Sequence, residues 1–118
     1  MGDGMNISKV MECNLEYGRP TVEDALRQMR DALMTCRGRG GKAVILIHGY
    51  GSSGVGGEIK TAVRKSLAEN SMRGLVRAFA GGEQWHYRKK EMTGMCKSLG
   101  DHERRIANNE GVTVVILR

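Results

Sequence analysis

His48 is followed by a glycine-rich run, Gly49-Tyr50-Gly51-Ser52-Ser53-Gly54-Val55-Gly56-Gly57. An imidazole in that position can take a proton from a water or a ribose 2′-hydroxyl, or pair with a phosphate when charged. It can equally be structural, with its ring bonded to loop carbonyls to fix the turn. Glycines let the backbone turn tightly and bring its N–H groups close to an anion. A helix opening directly after the run adds unpaired N–H donors and a partial positive charge. Ser52 and Ser53 offer hydroxyl donors there. Lys60 and Arg64 stand one helical turn apart; they can track a nucleic-acid backbone or form a solvated helix face.

A second group is Trp85-His86-Tyr87 followed by Arg88-Lys89-Lys90. Aromatics interleaved with cations suit stacking on unpaired bases beside a phosphate chain. Trp85 is also the single Trp of the chain, and its other reading is an anchor that ties its segment to the core. His86 and His102 have no third ligand at metal spacing, so no metal or cofactor site is expected.

Three common motifs fail on the glycine run. Gly49-x-Gly51-x-x-Gly54 satisfies the dinucleotide fingerprint as a string, but no acid stands at the end of the following strand, where Ala80 and Gly81 lie. Gly49-x-x-x-x-Gly54 begins like a nucleotide-triphosphate loop, yet Val55 occupies the position of the phosphate-binding lysine. VILIHGYGSSG looks like the oxyanion loop of an α/β-hydrolase, but the chain has no G-x-S-x-G nucleophile elbow.

The elements that must hold these residues follow from periodicity. Lys9–Tyr17 alternates, with Met11, Cys13, Leu15 and Tyr17 on one side, and reads as a half-buried strand near a sheet edge. Thr21 can cap a helix whose Val22, Ala25, Leu26, Met29, Ala32, Leu33 and Cys36 form an apolar stripe. Ala43–Ile47 has no polar position, as befits a central strand covered on both faces. Ile59, Ala62, Val63, Ser66 and Leu67 mark a second helix. Leu75–Ala80 and the β-branched Val112–Leu117 give two more strands. Residues 82–110 form an insert, too long for a plain connection, with Met92, Met95, Cys96 and Leu99 at helical spacing. The order is β-α-β-α-β-insert-β: one domain over residues 1–118 with a flexible start at 1–8. The fold class is α/β, a two-layer sandwich in which two helices cover a four-stranded mixed sheet.

Composition narrows the classes. The 118 residues fit one domain. Aromatics are 4%, against 8 Met, so the core must be aliphatic and Met-rich. The longest purely apolar runs are too short to span a membrane, and Met1–Met11 has no apolar signal region. Cys13, Cys36 and Cys96 form no CxxC pair and read as free thiols, which places the chain in the cytoplasm. The net charge is +6. Residues 1–36 are slightly acidic, so the cationic excess lies in residues 37–118. A basic surface of that kind suits nucleic acid, with no membrane partner.

IHGYGSSGVGGEIKTAVRKSL resembles the H-G-x-G-x-G strand, loop and helix of the small MutS-related (Smr) domain. Upstream, Tyr17-Gly18-Arg19-Pro20-Thr21-Val22-Glu23-Asp24-Ala25-Leu26 falls where that family opens its first helix with H-G-x-T-x-x-E-A-L. Gly111–Leu117 is similar to its last strand, and the insert, with Gly82-Glu83-Gln84-Trp85 and Asn108-Asn109, resembles that of a standalone bacterial subgroup. The resemblance implies a sandwich similar to the C-terminal domain of bacterial translation initiation factor three. It also implies DNA or RNA binding and, in several members, endonuclease activity. The family's first motif is usually L-D-x-H; here the matching stretch is Asn14-Leu15-Glu16-Tyr17, without the acid or the histidine at their positions.

Three functions follow. The first is a weakly catalytic or non-catalytic nucleic-acid-binding module. Phosphates would sit at Gly49, Tyr50, Gly51, Ser52, Ser53, Gly54, Lys60 and Arg64, with Trp85, Arg88 and Lys89 contacting the chain from the insert, acting as a lid. The second is an endonuclease using His48 with Tyr17 or Glu16, in which case Mg²⁺ is a possible cofactor. The third is an adaptor that binds protein through the insert.

Overall fold

The computed structural model describes residues 8–18, 20–50 and 55–118. The expected loose start falls mainly on residues 1–7, outside the described residues. The chain runs β1 (Val10–Asn14), α1 (Val22–Gly38), β2 (Ala43–Ile47), α2 (Val55–Leu67), β3 (Val76–Gly81), α3 (Trp85–Met95), α4 (Glu103–Ile106) and β4 (Val112–Leu117). Short 3₁₀ turns cover Asn70–Met72, Gly82–Gln84 and Lys97–His102.

The four strands form one mixed sheet in the order β1-β2-β4-β3. β1 lies parallel to β2, while β4 runs antiparallel to both β2 and β3. The apolar β2 and the β-branched β4, whose one polar residue is Thr113, are the central strands. β1 is an edge strand, as its alternation requires. It ends at Asn14, three residues before the expected Tyr17, because the Asn14 side chain accepts a hydrogen bond from the Glu16 N–H at 2.8 Å and turns the chain. Leu15 still bonds Ile47 O at 2.8 Å and is buried, but Tyr17 turns outward.

Side chains alternate across the sheet, so each central strand feeds two cores. Val44, Leu46, Val115 and Leu117 meet Met29, Leu33, Ile59 and Val63 of α1 and α2. Ala43, Ile45, Val114 and Ile116 meet Trp85, Met92, Leu99 and Ile106 of the insert. Each such fully buried aliphatic side chain contributes about 1.5–3 kcal/mol. The two long helices thus cover one face as expected. The insert covers the other, which corrects its expected place as a lid.

Local signals explain where the helices begin and the insert closes. Thr21 Oγ1 accepts from the Asp24 N–H at 3.0 Å, capping α1. Gly82 fills the point where the two ends of the insert meet: a Cβ there would overlap the carbonyl oxygens of Ile106 and Asn109. All three cysteines are unpaired. Among the described residues, no helix is long and apolar enough to cross a membrane.

Candidate phosphate-binding site

The C-terminal ends of β1, β2 and β3 and the start of β4 lie together at one end of the sheet. β2 leaves this end as His48-Gly49. The Gly111 carbonyl accepts from both of their amides, at 2.9 and 3.0 Å. Asn109 holds Gly111 in turn: its side-chain oxygen accepts from the Gly111 N–H at 2.9 Å, and its amide nitrogen donates to Arg105 O at 2.9 Å. Asn108 has φ 58, the left-handed conformation that Asn tolerates. The Asn-Asn end of the insert is therefore the buckle of the His48 turn.

Gly49 has φ +81, and a Cβ on it would overlap the Glu16 carboxylate. The left-handed φ is what favours glycine there, since the Glu16 side chain is flexible and could move aside. The same overlap shows that Glu16, not Tyr17, is the residue of the first segment that reaches this turn. Tyr17 is 84% exposed, and Tyr50, on the other side of the turn, is 64% exposed.

His48 points to the α2 side of the sheet, as do Leu46 and Thr113, its neighbours in the period-two pattern. It is wholly buried. Its Nδ1 stands 3.0 Å from Gly49 O and its Nε2 2.8 Å from Thr113 Oγ1. A carbonyl can only accept, so Nδ1 carries the proton and the neutral ring accepts at Nε2 from the Thr113 hydroxyl. Thr113 Oγ1 accepts from Arg64 Nε at 3.1 Å. The Arg64 guanidinium also grips Glu83 with two bonds, at 2.5 and 2.9 Å, and donates to Val112 O at 3.3 Å. One ordered chain of hydrogen bonds thus runs from Glu83 through Arg64 and Thr113 to His48 and Gly49.

Electrostatics agree with that order. Burial holds the His48 pKa below the usual histidine value. The Arg64 and Lys60 cations push the same way, against the Gly49 carbonyl and Glu83. The Glu83 carboxyl is held below the usual range chiefly by its hydrogen bonds from Arg64. Lys60, one turn earlier on α2, is 3.5 Å from Glu110.

The structure therefore brings Glu16, His48, Gly49, Tyr50, Lys60 and Arg64 to one end of the sheet. Gly51, Ser52, Ser53 and Gly54 lie outside the described residues. Trp85, Arg88 and Lys89 do not join the group. Trp85 is 1% exposed in the far core, donating from Nε1 to Glu103 at 3.2 Å. Its faces are filled by packing, in keeping with its reading as the anchor of the insert and leaving no face for a base. Arg88 bonds Glu91 at 2.7 Å and Phe79 O at 3.3 Å, and Lys89 pairs with Glu103 at 2.5 Å. Of the insert's large apolar residues, Tyr87 is the one presented to solvent, at 80% exposed. That leaves little apolar surface for an adaptor.

Thr113, Glu83 and Asn109 are site residues that sequence reasoning missed. Thr113 carried a signal, as the single polar residue in VTVVIL. Among the described residues, no group of three or more His, Cys, Asp or Glu could hold a metal ion.

A family model of the Smr domain matches residues 18–92. The crystal structure of the Smr domain of Thermus thermophilus MutS2 is similar, with a TM-score of 0.58 and 26% identity over 92% of this chain and 98% of that chain. A comparison with curated proteins gives no match.

Proposed function

The chain belongs to the Smr domain family, and from that premise we propose that it is a nucleic-acid-binding module whose glycine loop and α2 N-terminus receive backbone phosphates, with His48 serving as scaffold and not as catalyst. The observation that carries this reading is the His48 ring, wholly buried with both nitrogens already bonded. A general base must reach the proton it abstracts. This ring is instead committed to holding Gly49 at the mouth of the loop, where backbone donors are useful to an anion. The exposed ring of Tyr50, the residue after Gly49, offers a π-face to an unpaired base there.

The test is equilibrium binding of labelled single-stranded RNA, duplex DNA and branched DNA over a KCl series. Affinity is expected to fall steeply as salt rises, because each neutralised phosphate releases counterions. Absence of binding at low salt to all three would overturn the proposal.

A second reading, an endonuclease assisted by Mg²⁺, draws on one observation: the Glu16 carboxylate lies against Gly49. It brings an acid to the loop although the usual family position, Leu15, is apolar and buried. Cleavage that Glu16→Gln abolishes while binding persists would favour it.

A further inference from the structure

Two α2 cations at the His48 end of the sheet are already neutralised. Lys60 pairs with Glu110 and Arg64 with Glu83. On the insert, Arg88 pairs with Glu91, Lys89 with Glu103 and Arg105 with Glu12. The end of the sheet opposite His48 is different. There the starts of β2 and β3, the end of β4 and the end of α1 enclose a cleft of about 650 Å³. The charged residues that line it are Arg37, Lys42, Arg77 and Arg118, all cationic. Among the described residues, none of the four has a carboxylate within ion-pair distance.

Two of these groups are aimed without being neutralised. Arg37 donates to Gly74 O at 3.0 Å, and Arg118 Nε donates to Arg73 O. A carbonyl fixes a guanidinium's position and leaves its charge and remaining donors for another partner. Arg77 sits at an irregularity in the β3–β4 ladder, between Val76 paired with Leu117 and Ala78 paired with Ile116. Such a bulge re-aims the side chain that it carries. The negative end of the α1 dipole accounts for one cation, Arg37. It does not account for Lys42, Arg118 and Arg77, which follow the sheet end across β2, β4 and β3. At about 4.8 Å per strand, they span about 10 Å, enough for at least two phosphates of one nucleic-acid strand.

We propose that this cleft is a second nucleic-acid contact, taking backbone phosphates of DNA or RNA at the opposite end of the sheet from the glycine loop. It rests on the reading of the chain as a nucleic-acid-binding module but on a separate set of residues. The cleft reads phosphate and no sequence, since its donors are long cationic side chains.

The test compares wild type, Lys42→Ala/Arg77→Ala, and a matched control, Arg30→Ala/Arg104→Ala, for binding a fluorescent DNA duplex across a KCl series. All four substituted side chains are exposed, and thermal unfolding checks that each variant keeps its fold. The cleft variant is expected to bind about tenfold more weakly at low salt, with a log–log salt slope shallower by about two, as for the loss of two phosphate contacts. The control is expected to match wild type. A cleft variant that binds like wild type would overturn the cleft and leave the loop reading standing, and so would equal losses in cleft variant and control. A wild type that binds no nucleic acid would overturn both.

Discussion

The Thr113 hydroxyl stands 2.8 Å from His48 Nε2 and donates to it, while accepting from Arg64 Nε at 3.1 Å. That single oxygen joins the strand carrying the histidine to the helix that follows the glycine loop. Thr113→Val keeps the shape and removes the hydroxyl, leaving buried groups on both sides without a partner. A loss of about 1–3 kcal/mol is expected, read as a lower urea midpoint. Thr113→Ser should recover most of it.

Acid should weaken the fold in two stages. A buried neutral histidine binds its proton at lower pH than the unfolded chain does, near 6.5. Below that pH the unfolded state holds more protons, so stability falls as pH drops. Glu83 acts in the same direction further down, because Arg64 depresses its carboxyl pKa. Its contribution is present above the ordinary glutamate pKa and is lost as pH falls through the depressed one. Unfolding free energies measured from pH 8 to pH 2 should show both declines, and His48→Gln should flatten the upper one.

Two glycines should resist substitution for different reasons. Gly49→Ala meets both a left-handed φ of +81 and the Glu16 carboxylate. The conformational part costs about 1–2 kcal/mol and dominates, because the exposed Glu16 side chain can swing away, so Glu16→Ala should restore little. Gly82→Ala drives a methyl into backbone carbonyls that no rotamer change can move. It should loosen the insert, seen as faster amide exchange over residues 82–110.

Trp85 gives an optical test of its placement. The ring is 1% exposed, so its emission should be that of a buried indole and should not change when nucleic acid binds. Trp85→Ala should cost about 3–5 kcal/mol through the cavity it leaves.

Much of the fold was legible because it is local. AVILI and VTVVIL have almost no polar position and became the two central strands, and Thr21 caps α1 as its type suggests. The insert's place was not legible, because nothing in the spacing of Trp85, Met92 and Leu99 says which face of the sheet they meet. The site was half legible. The His48-glycine run is visible in the sequence, whereas Thr113 and Arg64 are 65 and 49 residues from their respective partners, His48 and Thr113. The cationic cleft draws from residues 37, 42, 77 and 118, which meet only when the four strands align their ends.

The central claim is that His48 holds the loop and does not cut. It is tested most directly by incubating labelled single-stranded RNA, duplex DNA and branched DNA with wild type and His48→Ala, with and without Mg²⁺. Each sample is then resolved on native and denaturing gels. The account predicts salt-sensitive shifts by wild type on native gels with intact strands on denaturing gels. It also predicts a His48→Ala variant that binds more weakly than wild type, because the turn presenting the loop loses its two ring hydrogen bonds. Strand cleavage by wild type, lost in a His48→Ala protein that still folds and binds, would contradict it.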